Sequence, residues 1–170
     1  MKIKICLFFI ALLSVLACGF VPADNAPLGS IVIPEADLTT SVYCGNLYDP
    51  AELQAIVDAK DSAVYMTLPR KDSPVVIADH KHQGFGKIKG LSAGDLVYIV
   101  TPEYVDLYYV ALIDANGINN GQAYYSNGIN IFTGNEDILA LYTCNQNSSS
   151  ITIVCCVKEQ RVWINDTALF

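Results

Sequence analysis

Apolar residues in this chain fall into short runs separated by turn formers. The segments 31–33, 41–43, 75–78, 96–100, 105–113, 138–142 and 151–157 are rich in Val, Ile, Tyr and Leu, the composition of half-buried strands. Pro34 closes the first of them, Ala93-Gly94-Asp95 marks a tight turn before Leu96, and Asn116-Gly117, Asn120-Gly121 and Asn127-Gly128 punctuate the stretch after Ala115. One segment has a helical period instead. Asp49 is placed to cap it, Pro50 takes its first position, and Leu53, Ile56 and Val57 share one face before a polar end at 58–61. Seven or eight strands with one early helix predict a mainly β fold, a small closed or partly closed barrel. No repeat or Pro-rich linker divides the chain, so one domain is expected over residues 28–170.

The N-terminus follows another rule. Met1-Lys2-Ile3-Lys4 precedes an uncharged run over 5–21 that Pro22 and Asp24 stop, which predicts an export signal or membrane anchor over residues 1–23. Ser14-Val15-Leu16-Ala17-Cys18 approximates a lipoprotein box with Cys18 as the lipidated residue, although Leu16 is bulky for it. Val21-Pro22-Ala23 offers an ordinary cleavage site, and an uncleaved anchor is the third outcome. In each case the rest of the chain lies outside the cytoplasmic membrane. Loss of Lys2 and Lys4 takes the net charge from −7 to −9, an acidic balance that argues against a nucleic-acid partner.

Composition adds a packed core, with 52% apolar and only 16% charged residues, and four cysteines beyond the N-terminal segment. An exported Cys44, Cys144, Cys155 and Cys156 permit two disulfides in three connectivities. Cys155 and Cys156 are neighbours in a strand, so they point to opposite faces and do not suit each other as partners. No pair has zinc spacing, and Asp79, His80 and His82 are the sole cluster of ligand types; neither a metal nor another cofactor is expected.

Two strand ends carry the candidate chemistry. The run 75–78 leads into Asp79-His80, and the run 138–142 leads into Thr143-Cys144. Side by side in a sheet, such ends bring a thiol within reach of an imidazole, the minimum apparatus of a nucleophilic cysteine enzyme. Taken singly, Cys144 reads as a small buried hydrophobe or disulfide partner, and His80 as a solvated residue of a polar turn.

Together these landmarks resemble the sortases, exported cysteine transpeptidases of mainly Gram-positive bacteria. Val75-Val76-Ile77-Ala78-Asp79-His80 resembles that family's strand ending in histidine, followed by Phe85 and the turn Leu91-Ser92-Ala93-Gly94-Asp95. Leu141-Tyr142-Thr143-Cys144 resembles its Thr-Leu-x-Thr-Cys strand end, Ile31-Val32-Ile33-Pro34 its early Ile-Pro strand, and Asp61-Ser62-Ala63-Val64-Tyr65-Met66 a stretch of class B members. The resemblance implies a sortase-like β-barrel with Cys144 as nucleophile and His80 as acid/base. His82 is the fallback base. The implied partners are a peptide or protein bearing a sorting signal and an amine acceptor such as a cell-wall peptide or pilin lysine, met at the extracellular face of the membrane.

One departure is plain: sortases place an arginine at the start of the strand after the cysteine, and 147–154 is uncharged. Arg161 lies roughly 36 Å along an extended strand from Ser150. Backbone N–H groups or Asn145, Gln146 and Asn147 are the substitute donors. A catalytically inactive sortase-fold binding protein is therefore the alternative, as is a lipid-anchored module in which Cys144 is structural and pairs with Cys44, Cys155 or Cys156. The segment 116–135 matches in position the loop that shapes substrate recognition and is expected to border the groove. Its Tyr124 and Tyr125, like Lys81, Lys87 and Lys89, read as surface residues.

Overall fold

A computed structural model of the chain describes residues 26–59, 62–66, 72–146 and 149–164, and the expected export segment 1–23 lies outside them. The chain enters as β1 (Gly29–Ile33) and turns through a 3-10 turn at Pro34–Ala36 into the antiparallel β2 (Leu38–Gly45). Helix α1 (Pro50–Asp58) then carries it back, so that β3 (Ser62–Met66) runs parallel to β2. A parallel pair needs such a crossover. The start of α1 is where the sequence puts it: the Asp49 carboxylate accepts from the amides of Ala51 and Glu52 at 3.1 and 3.0 Å.

The remaining strands are β4 (Val75–Ala78), β5 (Leu96–Val100), β6 (Tyr104–Asn119), the short β7 (Ala123–Tyr124), β8 (Ile138–Cys144) and β9 (Ser150–Trp163). They pair in the order β5-β1-β2-β3-β4-β8-β9-β6, and β5 also pairs with β6, which closes an eight-stranded barrel with β7 as an added ribbon on β6. This is the mainly β, closed architecture expected from the strand-like runs. Among the described residues no helix is long and apolar enough to cross a membrane.

Alternation along the strands builds two apolar clusters. Ile31, Val42, Ile77, Val97, Val110, Leu139, Leu141 and Val154 fill the barrel, and Phe85 and Ile88 of a second 3-10 turn (Phe85–Gly90) complete that cluster. Their outward neighbours Val64, Met66, Val76, Ala78, Ala140, Ile151 and Ile153 form a second cluster beneath α1 and the segment after β7. Leu53, Ile56 and Val57 are the helix face that packs there, as the period predicts. Gly45 permits their approach: a Cβ there would lie 2.5 Å from Leu53 Cδ2 and 2.6 Å from Val64 Cγ2. Cys156 is fully buried in the barrel while Cys155 faces out, the opposite-face arrangement expected of neighbours.

Several strands outrun their expected lengths, β6 and β9 by the most. β6 continues through Asn116-Gly117, where a shift in register between Asp114 and Gly117 absorbs the glycine instead of a turn. A side chain at Gly117 would meet Ile153 Cδ1 at 2.7 Å and the Tyr124 carbonyl at 3.0 Å. β9 continues past Val157 into the charged stretch to Trp163 because β6 offers it a partner all the way, with Tyr104 opposite Trp163.

That extension brings charge into the barrel end remote from Cys144. Asp106, only 3% exposed, takes a bidentate pair from Arg161 (Nε–Oδ1 and Nη2–Oδ2, both 2.6 Å), and Lys158 Nζ lies 3.5 Å from Oδ2. The Arg161 guanidinium also covers the Tyr104 ring at 3.9 Å. Its pairing with Asp106 raises the arginine's already high pKa, and burial raises that of the neighbouring Tyr108 phenol. Asp106→Ala is expected to destabilise the protein by about 2 to 3 kcal/mol in urea unfolding. This is below the 3 to 5 kcal/mol of fully buried pairs because Arg161 and Lys158 reach solvent.

Candidate functional site

The two strand ends singled out in the sequence are neighbours. β4 and β8 pair in parallel, with Ala78 opposite Tyr142, and the Asp79 amide continues the ladder to the Tyr142 carbonyl at 3.4 Å. Two residues further along stand His80, just past the end of β4, and Cys144, the last residue of β8, and this register brings them side by side. The buried Thr143 hydroxyl fastens the ends together by donating to the Asp79 carbonyl at 2.8 Å.

Even spacing from Ala78 and Tyr142 also sets direction. Those side chains and Cys144 belong to the outward cluster, not to the barrel interior. There, a cleft of about 300 Å³ opens between the sheet and α1. Leu53, Val57, Val64, Met66 and Ala78 give it an apolar lining, and Gln54, His80, Asn119, Tyr142 and Cys144 bring the polar groups. Cys144 is a half-buried free thiol. Burial, and then the charge of the adjacent Cys144, push the Tyr142 phenol up to about 12, so it stays protonated as a donor at neutral pH.

The imidazole of His80 is held from several sides. Its Nε2 lies 2.8 Å from Asp58 Oδ1 on α1, and the Gln54 amide nitrogen, which donates to that same oxygen, stands beside it at 3.3 Å. The His82 ring stacks on it with centroids 5.0 Å apart, and its backbone amide donates to Asp79 Oδ1 at 2.6 Å. The bond from Gln54 Nε2 to Asp58 Oδ1 is 2.8 Å. The bonds from His80 and then Gln54 hold the Asp58 carboxyl below the usual carboxylate range.

Three solved structures match the fold of this chain. Listeria monocytogenes sortase A matches with a TM-score of 0.63 at 19% identity, over 82% of this chain and 92% of that one. Sortase E1 of Streptomyces coelicolor, whose structure has a tripeptide in the active site, matches with 0.63 at 17% identity over 86% and 96%. Sortase C-3 of Streptococcus pneumoniae matches with 0.62 at 18% identity over 84% and 67%. The chain has the sortase fold. No protein-family model and no curated protein matches its sequence.

Within that fold, some expectations for the site change. The substitute donor Asn145 is already committed: its amide nitrogen donates to the Ala115 carbonyl and to Ser150 Oγ, and its Oδ1 accepts from Thr152. Asn147 lies outside the described residues. Lys81 and Lys89 are not simply solvated, because their ammonium groups donate to the carbonyls of Asn145 and Cys144 at 2.9 and 3.1 Å, and Lys87 bonds the Asp37 carbonyl. These carbonyls at the end of β8 and in the turn after Pro34–Ala36 attract cations from the facing 81–89 segment. Arg161, bound to Asp106, stands at the other end of β9. The pairing of Cys144 with another cysteine is not found, since all four described cysteines are free.

The segment 116–135 reaches the cleft through Asn119, while Tyr125, Ile131 and Phe132 pack on the outward cluster. Tyr125 is thus a packing residue, because a buried sheet face lies beneath it. Sequence reasoning passed over Gln54 and Asp58 altogether. Their spacing of four residues on α1 was legible as a helical side-chain pair, but nothing in the sequence aimed it at His80.

Thr143→Val keeps the volume and leaves the Asp79 carbonyl without its hydroxyl donor. A loss of about 1 to 3 kcal/mol in thermal unfolding is expected. The Asp58 carboxyl, depressed in the folded state, adds stability that is present above the ordinary carboxylate pKa and lost as pH falls through the folded value. The melting temperature of the native protein should therefore exceed that of Asp58→Asn at pH 6, with the gap closing below pH 4.

Proposed function

We propose that this protein is a sortase-like cysteine transpeptidase or peptidase that acts on a sorting-signal peptide through a thioacyl intermediate. The observation that carries the reading is that His80, just past the end of β4, and Cys144, at the end of the paired β8, line one cleft with an apolar wall. Cys144 is the nucleophile and His80 the acid/base. The thiolate attacks the scissile carbonyl carbon, the C–N bond breaks, and the leaving amine takes a proton from the His80 imidazolium as a thioester forms. An acceptor amine, a cell-wall peptide or pilin lysine, then gives up a proton to His80, attacks the thioester and releases the thiolate. Water in that role gives peptidase activity. The apolar cleft suits a peptide side chain, in keeping with the tripeptide bound in the Streptomyces sortase. Residues 1–23 export the chain or anchor it, which places the site at the outer face of the membrane.

The missing arginine favours one second reading, a sortase-fold protein that binds such peptides without cleaving them. Arg161 is held by Asp106 at the far end of the barrel, and the Asn145 amide is in use. Removal of one oxyanion donor typically costs about 10² to 10³ in rate. A transpeptidase of this kind is therefore expected to be slow.

Alkylation of Cys144 by iodoacetamide as a function of pH decides between these readings without a known substrate. A reactive thiol whose profile changes in His80→Ala supports the catalytic pair. A Cys144 that stays inert up to the ordinary thiol range, with or without His80, leaves the binding protein.

A further inference from the structure

The α1 side of the cleft deepens this reading and rests on it. Asp58 is the last residue of α1, where the helix dipole is negative and a carboxylate is disfavoured, and no basic residue occupies that last turn to offset it. Exposed ion pairs contribute little, so the stability that the Asp58 pair adds is small and is a weak reason for an acidic residue there. What the carboxylate does instead is meet the imidazole. Oδ1 lies 2.8 Å from His80 Nε2, and Gln54, one turn earlier, donates to the same oxygen at 2.8 Å and so fixes its direction. The amide of Gln83 reaches the Asp58 carbonyl at 3.5 Å, joining the end of α1 to the loop that carries His80. His82 covers one face of the imidazole.

We infer that Asp58 is a positioning residue: its carboxylate accepts from His80 Nε2–H, fixes that tautomer, and leaves Nδ1 as the nitrogen that exchanges protons with Cys144 and the peptide amine. The relay of thiol, imidazole and carboxylate is then drawn from β8, the loop after β4 and the end of α1. A base held by a third group is the general form of an activated nucleophile. The titratable groups that face His80 are Asp58 from α1, His82 and Asp79 from its own loop, and Cys144 from β8. Lys81 and Lys89, which bond the carbonyls at the end of β8, add positive charge nearby. Asp58 is the one carboxylate bonded to the imidazole nitrogen among the described residues.

The lowered Asp58 carboxyl keeps this partner charged throughout the range in which a cysteine enzyme works. Because the pair reaches solvent, its loss should weaken the relay and not abolish it.

The test uses the full chain as wild type, Asp58→Asn and Asp58→Ala, with iodoacetamide as the probe of Cys144 and imidazole nitrogen NMR for the tautomer of His80. In the wild type, Nε2 carries the proton. Asp58→Ala is expected to mix the tautomers, to move the onset of Cys144 reactivity to higher pH, and to slow alkylation at neutral pH about tenfold, a fraction of the 10² to 10⁴ that acid–base catalysis supplies. Asp58→Asn retains a carbonyl acceptor for Nε2–H, so it should keep the tautomer while losing the charge effect on the onset. An unchanged tautomer and profile in Asp58→Ala, with Cys144 still sensitive to His80→Ala, overturns this inference alone. A Cys144 that ignores both His80→Ala and Asp58→Ala overturns the catalytic reading and the relay with it.

Discussion

Everything at the candidate site depends on the parallel pairing of β4 with β8. The ladder from Val75 opposite Leu139 to Ala78 opposite Tyr142 fixes both strands in register, and register in a sheet admits no half measures. A slip by one residue turns every side chain to the other face. Here such a slip would drive Ile77 or Leu141 out of the barrel, where both are fully buried, so the core itself enforces the level at which His80 and Cys144 stand. Thr143 adds a local lock, because its side chain points into the structure between Tyr142 and Cys144 and finds the Asp79 carbonyl. The thiol and imidazole are thus positioned by a rigid pair of strands, with only the last residue or two of each free of the ladder.

The electrostatic plan of the molecule separates two groups of charge. At one end, Asp106 gathers Arg161 and Lys158 and closes the barrel with charge-assisted bonds under the Tyr104 and Trp163 rings. At the other end stand His80 with Asp58, and Lys81 and Lys89 on the carbonyls of Asn145 and Cys144. Arg161 belongs to the first group because a buried carboxylate requires a partner more strictly than an exposed cleft does. The start of β9 offers no arginine to the cysteine end, because its first eight residues, Ser150 to Val157, carry no charge and supply Ile151, Ile153, Val154 and Cys156 to the two apolar clusters.

What the sequence revealed and what it withheld divide along the range of the interactions. Strands buried by their own alternation, such as Val75–Ala78 and Ile138–Cys144, were legible as apolar runs, and α1 was legible from Asp49, Pro50 and the spacing of Leu53, Ile56 and Val57. The second half of β6 and the charged end of β9 were not, because each is a strand only through the other's edge and local turn signals pointed the other way. The turn at Phe85–Gly90 has no strong periodicity and is held by the burial of Phe85 and Ile88. At the site, Cys144 and His80 stood out by chemistry and by their strand ends, whereas Asp58 and Gln54 looked like the solvated tail of a helix. Only the packing of α1 over the outward cluster turns that tail toward the imidazole.

This makes α1 more than a crossover. No residue of the helix is fully buried, and its contact with the sheet is the single row Leu53, Ile56 and Val57 against Val64 and its neighbours. A short helix has little stability of its own in water, so its position depends on that row and on the close approach that Gly45 permits. The same helix supplies one wall of the cleft and the carboxylate that meets His80. Cleft shape and imidazole orientation are therefore coupled through one lightly anchored element. In this fold the contact of His80 with Asp58 depends on how α1 packs, while the register of the two strand ends is fixed by the barrel.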